Sequence, residues 1–295
     1  MALLKAERKR LLLGLAFVSP AIAGFCAFAL YPTVASIYYS FCSYSVLQPA
    51  IFIGLENFRE MYRDEVFWQA LGNTIYYAGF SVPLGLFMSL LTAMLLNARI
   101  RGLAVYRTVF FLPSLVPLVA NSILWKWIFN GEHGVLNHFL GYIMRDPPGW
   151  LTDPKWSKPA LIIMSLWGIG HAVVIYLAAL QDVPASLYEA AEIDGASRLS
   201  RIRHVTLPLI SPVIYFNFIM SIIGSLQVFT QAYVMTQGGP LRSTNFYAMY
   251  IYTTAFRDLR MGYACAMAWI LFILIVALTL LAMRATRKLV YYAAA

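Results

Sequence analysis

Long apolar runs alternate with shorter polar segments along this 295-residue chain. A helix needs about 20 apolar residues to cross a bilayer, and six of the runs are of roughly that length. The six runs cover residues 11–31, 73–97, 104–130, 160–181, 209–234 and 263–283. The pattern therefore predicts an all-α integral membrane protein with six transmembrane helices, in a single domain over residues 1–295.

The composition agrees with that fold class. Hydrophobic residues make up 61% of the chain and charged residues 12%, and the mean hydropathy is +0.69, far from an ordinary soluble protein. The net charge of +9 does not indicate nucleic-acid binding, because the basic residues are scattered at the ends of apolar runs. Three cysteines without CxxC spacing and four histidines without a ligand pattern predict neither a metal site nor a disulfide framework.

The first apolar run follows Lys5, Arg8, Lys9 and Arg10. A basic start, an apolar stretch and Ala21-Ile22-Ala23 together match a cleaved signal peptide. The run continues past that site to the length of a span, so we interpret it as an uncleaved first transmembrane helix.

The distribution of Lys and Arg predicts the orientation of the chain. If the amino terminus is cytoplasmic, most basic residues fall on the inner side, and the longer outer loops hold nearly as many acids as bases. The inner residues are Lys5, Arg8, Lys9, Arg10, Arg99, Arg101, Arg107, Arg198, Arg201, Arg203, Arg284, Arg287 and Lys288. The positive-inside rule then places both termini and residues 182–208 in the cytoplasm.

The third run contains Pro113 and Pro117, which are expected to kink the helix. Trp125 and Trp127 mark its far end, where indole rings favour the membrane interface. The outer loop that follows, 131–159, is rich in Pro, Gly and Trp, which predicts ordered irregular structure placed against a partner protein.

The longest charged segment, 182–208, lies between the fourth and fifth runs. Pro184 and Ser186 can open a helix there, and Gly195 can end it. A second helical piece after the glycine bend is expected to stop at Pro208, so that both pieces lie along the membrane surface.

Within this segment, Glu189-Ala190-Ala191 is followed by two residues, then Asp194-Gly195-Ala196, then a spacer ending in Leu207-Pro208. The order and spacing resemble the EAA loop of permease subunits of bacterial ABC importers in the carbohydrate-uptake branch. One position departs from the pattern, because Ile202 stands where an aromatic residue, usually Phe, is expected. The alternative interpretation is a solvated loop whose acids and bases merely balance.

Shorter segments resemble the same family and occur in the family's order. They are Gly54-Leu55-Glu56-Asn57-Phe58, Ala70-Leu71-Gly72-Asn73-Thr74, Arg107-Thr108-Val109-Phe110-Phe111-Leu112-Pro113 and Thr236-Gln237-Gly238-Gly239-Pro240. Together with the EAA loop, the resemblance covers the chain from Gly54 to about Ala268.

The resemblance implies the type I ABC importer permease fold, in which the EAA loop is a cytoplasmic coupling helix docked on a separate ATPase subunit. The implied ATPase contacts are Glu189, Ala190, Ala191, Asp194 and Gly195. The implied partners are a second permease subunit, two cytoplasmic ATPase subunits, an extracytoplasmic solute-binding protein and membrane lipid, with no nucleic acid. The chain itself would hold no cofactor, since the ATPase uses ATP and Mg, and it would lie in the bacterial cytoplasmic (inner) membrane.

The fifth run carries polar residues at helical spacing, which predicts one polar stripe. The stripe residues proposed for a substrate pathway are Asn217, Ser221, Ser225, Gln227 and Gln231, with His171 and Asn121 as weaker candidates. Amides and hydroxyls suit a neutral sugar, although small polar residues in membrane helices more often serve packing.

No charged residue lies at the estimated centre of a run, which argues against a carrier driven by protons or sodium. The chain also lacks a Walker lysine motif, so it is expected not to hydrolyse ATP and not to be an enzyme. We therefore expect half of the translocation pathway of an ATP-driven importer for a sugar or oligosaccharide. The alternatives are an ATP-independent facilitator or channel, import of a polyol or glycerol phosphate by the same ABC mechanism, and a membrane-embedded enzyme, for which the carboxylates and histidines are too dispersed.

Overall fold

The computed structural model describes residues 2–98 and 101–286, with side chains from Arg10 onward. Six residues used for the orientation prediction lie outside the described side chains: Lys5, Arg8, Lys9, Arg99, Arg287 and Lys288. The helices are α1 Ala2–Phe25, α2 Tyr31–Ser40, α3 Glu56–Arg63, α4 Glu65–Leu96, α5 Leu103–Leu115, α6 Leu118–Ile128, α7 Val135–Leu140, α8 Pro154–Trp167, α9 Gly170–Gln181, α10 Ala185–Ile193, α11 Arg198–Arg201, α12 Leu207–Leu226, α13 Thr230–Met235, α14 Tyr247–Phe256 and α15 Met261–Thr286. Two strands, β1 Cys42–Ser45 and β2 Gln48–Phe52, and two π-helical turns, Cys26–Leu30 and Ile202–Thr206, complete the described elements.

The predicted all-α membrane fold is confirmed. Four helical segments are long and apolar enough to cross a membrane: Arg10–Ser40, Glu65–Leu96, Arg198–Met235 and Met261–Thr286. Two bent pairs, α5 with α6 and α8 with α9, pass the same test together, which gives up to six spans. The second span begins at Glu65 instead of residue 73, because Asp64 caps it by accepting a hydrogen bond from the Val66 N–H at 2.9 Å.

A helix continues through a proline in two places, and one of these prolines, Pro208, was expected to end a helix. The helix of the first span continues past residue 31 to Ser40, and the expected stop at Pro208 is wrong, because α12 runs through it. In both places a five-residue π-helical turn lies just before the X-Pro pair: Cys26–Leu30 before Tyr31-Pro32, and Ile202–Thr206 before Leu207-Pro208. A π-helical turn is wider than an α-helical turn, so it leaves space for the proline ring. The missing proline N–H then breaks no hydrogen bond of a regular α-helical turn, and the helix continues.

The predicted kink in the third run is a break of 101° between α5 and α6. The break lies at Val116-Pro117, where Val116 has an extended backbone, while Pro113 lies inside α5. The fourth run is bent by 45° between α8 and α9, at Gly168-Ile169. The fifth is interrupted at Gln227–Phe229, between α12 and α13.

The chain divides into two compact units, and the first comprises Met1–Arg63 with Ile251–Ile270. Its β1 and β2 form an antiparallel hairpin in which Cys42 pairs with Phe52. The buried amide of Asn57 donates hydrogen bonds to the Ser40 and Cys42 carbonyls at 2.8 and 2.9 Å, which ties α3 to the hairpin. Gly262 must be glycine, because a Cβ there would lie 2.0 Å from the Cys42 carbonyl oxygen.

The second unit comprises Asp64–Tyr250 with Leu271–Ala295. Its long helix α4 packs against α8, α9 and α12. One buried cluster joins Ala93 and Leu96 of α4 to Tyr176 of α9 and Ile210 of α12. A second cluster is rich in large side chains from Phe129, Trp150 and Phe246 and lies under the segment between α6 and α8. The packing of α4 on three broken or polar helices encloses the cavity described next.

Candidate functional site

A cavity of about 620 Å³ lies in the second unit, and it is called the central cavity below. It is bordered by the middle of α4 and by residues of α6, α8, α9, α12 and α13. On α4, its lining includes Tyr77, Ser81, Gly85 and Ser89, which recur every four residues and so share one face of the helix. The middle of an otherwise apolar span therefore turns a stripe of small and polar side chains toward open space.

The three breaks described above, in the third, fourth and fifth runs, border the central cavity. Leu118 follows the first break, Gly168 and Ile169 form the second, and Gln227–Phe229 is the third. Irregular backbone at membrane depth is tolerated only where it is buried in protein or lines a cavity, because lipid cannot satisfy its polar groups. The breaks therefore bring backbone N–H and C=O groups close to the same space as the polar side chains.

The five residues proposed from the polar stripe all line the central cavity: Asn217, Ser221, Ser225, Gln227 and Gln231. Two of them also make local hydrogen bonds, since the Asn217 amide donates to the Val213 carbonyl and the Ser225 hydroxyl to the Ile222 carbonyl, both at 3.0 Å. Gln227 is exposed and lies in the third break, so its position does not follow from helical spacing.

The two weaker candidates, His171 and Asn121, differ in their position relative to the central cavity. His171, in the first turn of α9, lines the central cavity, and its ring lies 5.7 Å from the Phe111 ring. Asn121 is buried in α6 and lies outside the described lining of the cavity. The α4 stripe was missed, although its period of four was visible in the sequence as Tyr77, Ser81, Gly85 and Ser89.

The central cavity is polar but uncharged. Among the described residues that line it there is no Asp, Glu, Lys or Arg, and the ionisable groups are His171 and Tyr77. Hydroxyls, amides and one imidazole can both donate and accept hydrogen bonds, and Phe216 and Phe229 add apolar surface. This lining suits a ligand with many hydroxyl groups and no net charge, because an ionic ligand would lose its hydration without gaining a counter-charge.

The start of α9 is held in place by close packing against α5. A Cβ on Gly170 would lie 2.8 Å from the Ser114 hydroxyl, 2.9 Å from the Phe110 carbonyl oxygen and 3.1 Å from the Phe111 Cα. Only glycine allows this approach, and the approach sets the position of His171 at the wall of the cavity.

The charged segment contains a second candidate site, which we call the elbow: α10, the bend at Gly195, α11 and the π-helical turn to Thr206. The bend is a Schellman motif, in which the Ala196 N–H donates to the Ala191 carbonyl at 2.9 Å and the Gly195 N–H to the Glu192 carbonyl at 3.1 Å. Gly195 has φ of +76°, which confirms the prediction that it ends the first helix.

Two side-chain contacts brace the elbow across its bend. An Arg201 guanidinium nitrogen lies 3.1 Å from a Glu192 carboxylate oxygen, and the Tyr188 hydroxyl lies 2.9 Å from the Thr206 hydroxyl. These pairs are nine and 18 residues apart, so no single-helix spacing reveals them. Ser197 adds a cap to α11 by accepting a hydrogen bond from the Ser200 N–H at 3.3 Å.

The residues proposed as ATPase contacts lie together on the elbow. Glu189, Ala190, Asp194 and Gly195 are exposed, and Ala191 is half-buried. Two apolar side chains of the elbow also face outward, with Ile193 87% exposed and Leu199 76% exposed. The elbow thus presents an exposed surface that combines small residues, carboxylates and apolar side chains, a composition typical of protein docking.

Within the part of the chain that the structure describes, no group of three or more His, Cys, Asp or Glu side chains could hold a metal ion. Cys26, Cys42 and Cys265 are free, and Cys42 is buried.

Comparison with known proteins gives a family match over most of the chain. The model of the family described as "Binding-protein-dependent transport system inner membrane component" matches residues 73–290. This range includes the central cavity and the elbow.

Two relatives are each 40% identical. The probable ABC transporter permease protein YesP of Bacillus subtilis (strain 168) aligns over 98% of this chain and 94% of its own length. The lactose transport system permease protein LacF of Rhizobium radiobacter aligns over 93% of this chain and 94% of its own length.

Crystal structures of a bacterial alginate ABC transporter resemble the whole chain. One, of a transporter involved in the import of the acidic polysaccharide alginate, has a TM-score of 0.87 and 27% identity, covering 98% of this chain and 99% of its own. Another, in complex with an alginate pentasaccharide-bound periplasmic protein, has a TM-score of 0.86 and 26% identity, covering 96% and 97%.

Proposed function

This chain belongs to the family of binding-protein-dependent transport system inner membrane components, and we propose that it forms half of the translocation pathway of an ATP-driven sugar importer. The family makes it a transporter component of the inner membrane and not an enzyme. The family that the EAA loop indicated is thereby confirmed.

The proposed cargo is a neutral sugar or short oligosaccharide. The observation that carries this proposal is the central cavity, whose described lining offers hydroxyl, amide and imidazole groups but no carboxylate, ammonium or guanidinium. The names of the relatives support the sugar class, since one is a lactose permease and one solved transporter imports alginate. A glycerol phosphate fits this lining less well, because a phosphate would need a positive partner.

The proposed partners are a second permease subunit, two cytoplasmic ATPase subunits and an extracytoplasmic solute-binding protein. The elbow supports the ATPase proposal, because Glu189, Ala190, Ala191, Asp194 and Gly195 lie on one exposed, braced element. Glu189 can pair with a basic residue of the ATPase, and the two alanines permit close approach. ATP and Mg would be bound by the ATPase subunits.

The proposed orientation has both termini and the elbow in the cytoplasm, where ATP is available. The basic residues with described side chains that then lie on the inner side, as the positive-inside rule requires, are Arg10, Arg101, Arg107, Arg198, Arg201, Arg203 and Arg284. ATP binding would close the ATPase pair and pull on the elbow. Because the second arm of the elbow continues into α12, that motion would reach the polar stripe of the central cavity directly.

The test is ATP hydrolysis by the complex that copurifies with this chain, reconstituted in lipid. The assay compares binding protein loaded with neutral sugars, polyols, uronic oligosaccharides or glycerol phosphate. We expect stimulation by one neutral sugar. Stimulation by a polyol alone would keep the importer and change the cargo. If no ATPase copurified and sugar still crossed liposomes containing this chain alone, an ATP-independent facilitator would replace the proposal.

A further inference from the structure

The short helix α7 and the turn after it present an apolar surface that the proposed function does not use. The most exposed side chains are Ile143, 84% exposed, Tyr142, 78%, and Phe139, 64%, and Trp127 at the end of α6 is 78% exposed. Val135, 58% exposed, completes the set, which we call the α7 patch. None of its five side chains carries a charge, so the patch is costly to leave in water.

The opposite side of α7 is fixed to the protein. Leu136 and Leu140 pack against the buried cluster that contains Phe129 and Trp150. The Asn137 amide donates to the Gly131 carbonyl at 3.0 Å and to the Pro148 carbonyl at 3.1 Å, and its oxygen accepts from the Trp150 indole N–H at 2.7 Å. With one side of α7 anchored in this way, the direction in which the patch faces is set by the fold.

A tight turn keeps α7 beside the end of α6. The Gly134 N–H donates to the Asn130 carbonyl at 3.0 Å, and a Cβ on Gly134 would lie only 2.2 Å from that oxygen. Ile123 and Trp127 of α6 are also exposed and apolar, while the exposed polar residues Asn130, Glu132 and His133 lie between Trp127 and Val135 in the sequence. In an inner-membrane protein, lipid or a partner subunit covers the exposed apolar side of such a helix, and a Trp at the helix end favours the membrane interface.

The chemistry of the patch also matches a bilayer interface. Trp and Tyr concentrate where acyl chains meet headgroups, because their rings are apolar and their N–H and O–H groups are polar. Exposed polar residues flank the patch in the sequence: Glu132 and His133 precede α7, and Arg145 and Asp146 follow the patch. This arrangement gives a largely apolar centre with polar ends, as in helices that lie in the membrane surface. The exposed His138 is the polar side chain within that centre, and its ring lies 5.8 Å from the Phe139 ring and 5.5 Å from the Tyr142 ring.

We propose that α7 and the turn to Met144 lie in the membrane–water interface, with the α7 patch inserted among lipid headgroups and upper acyl chains. The loop 131–159 would then be braced on the bilayer, which differs from its expected placement against a partner protein. The proposal depends on the membrane location of the chain and is independent of its cargo.

The test uses the complex copurified with this chain, in nanodiscs of phosphatidylethanolamine and phosphatidylglycerol. Cys26, Cys42 and Cys265 are replaced by alanine, and a nitroxide label is attached at Ile143→Cys or, as control, at His133→Cys, whose native side chain is 86% exposed. Collision rates with oxygen, which concentrates in lipid, and with a water-soluble nickel chelate are compared. We expect the oxygen-to-nickel ratio to be several-fold higher at position 143. Equal ratios at the two positions would overturn the proposal.

A second measurement keeps the native cysteines. Benzoylphenylalanine replaces Tyr142, the nanodiscs are irradiated with and without loaded binding protein, and the products are analysed by mass spectrometry. Lipid adducts in both conditions are the expected result. Adducts only with the binding protein, or with a second permease subunit, would show that the patch is a protein interface and that the lipid assignment is wrong.

Discussion

The central cavity and the elbow are built by opposite means. The cavity uses uncharged polar groups at three helix breaks, and its shape depends on close backbone packing such as that of Gly170 on α5. The elbow uses charged and small residues around one Schellman bend, braced by Glu192 with Arg201 and by Tyr188 with Thr206. A neutral lining can accept sugars of related shape, whereas a charged, braced surface favours one partner in one orientation. Changes in the elbow should therefore affect coupling for every cargo, and changes in the cavity should affect cargoes differently.

The largest effect is expected for Glu189→Lys. Reversing a charge at a docked contact costs on the order of 3 kcal/mol, so we expect transport to fall on the order of a hundredfold for every cargo. The measurement is uptake by reconstituted complex, together with the amount of ATPase that copurifies. Glu132→Lys is the control, because that side chain is 89% exposed and lies outside both sites. Normal transport by Glu189→Lys would remove the docking role from the elbow.

A second change, Gly170→Ala, tests how the cavity depends on packing. The new methyl group would meet Ser114 and the backbone of α5 at 2.8 to 3.1 Å, and relief of that overlap should cost about 2 kcal/mol of stability. The melting temperature of the complex in thermal unfolding measures this loss of stability. Gly79→Ala on α4 is the control, since nothing lies within 4 Å of its Cβ, and it should be neutral or slightly stabilising. Equal melting shifts for the two variants would mean that the α5–α9 contact is looser than described.

Gly195→Ala tests the bend of the elbow. At φ of +76° an L-residue costs about 1 kcal/mol, and open space around the Cβ means that the cost comes from the backbone alone. Gly102 provides a matched control, with the same φ and equally open surroundings, at the start of α5. We expect both variants to lose similar stability in thermal unfolding, but only Gly195→Ala to bind less ATPase. Loss of ATPase from both would indicate a general effect on folding.

The apolar pattern was sufficient for the fold class, because six long runs leave few alternatives in a bilayer. It was not sufficient for helix ends. Pro32 and Pro208 both lie within helices that continue through them, because a π-helical turn precedes each X-Pro pair, and the apolar pattern carries no signal for such a turn. The kink at Pro117 was predicted from the proline itself. The structure has a break there, because α5 ends at Leu115 without a π-helical turn and Val116 is extended.

The elbow and the central cavity could be predicted from the sequence to different extents. The EAA spacing identified the exposed face of the elbow, but the Glu192–Arg201 and Tyr188–Thr206 contacts cross a bend and have no helical period. For the cavity, the polar stripe identified the α12 wall, while the α4 wall was missed because its members are mostly small and resemble packing residues. Which polar stripes face one another is a property of the packed helices, so sequence periodicity alone does not reveal it.

The smallest effect is expected for Gln231→Ala, which removes one hydrogen-bonding side chain from the cavity wall. A single neutral hydrogen bond contributes about 0.5–1 kcal/mol, so transport of the preferred sugar should fall only a few-fold. Coupling should be intact, because Gln231 lies outside the elbow; basal ATPase activity and ATPase copurification should match the unmodified complex. Gln48→Ala, at an exposed site in the β-hairpin, is the control. Transport rates for a set of neutral sugars decide the outcome: if Gln231 contacts cargo, the losses should differ from sugar to sugar. A uniform loss across the set, or a loss of ATPase stimulation, would instead place Gln231 in the coupling movement, and the division of roles between cavity and elbow would no longer hold.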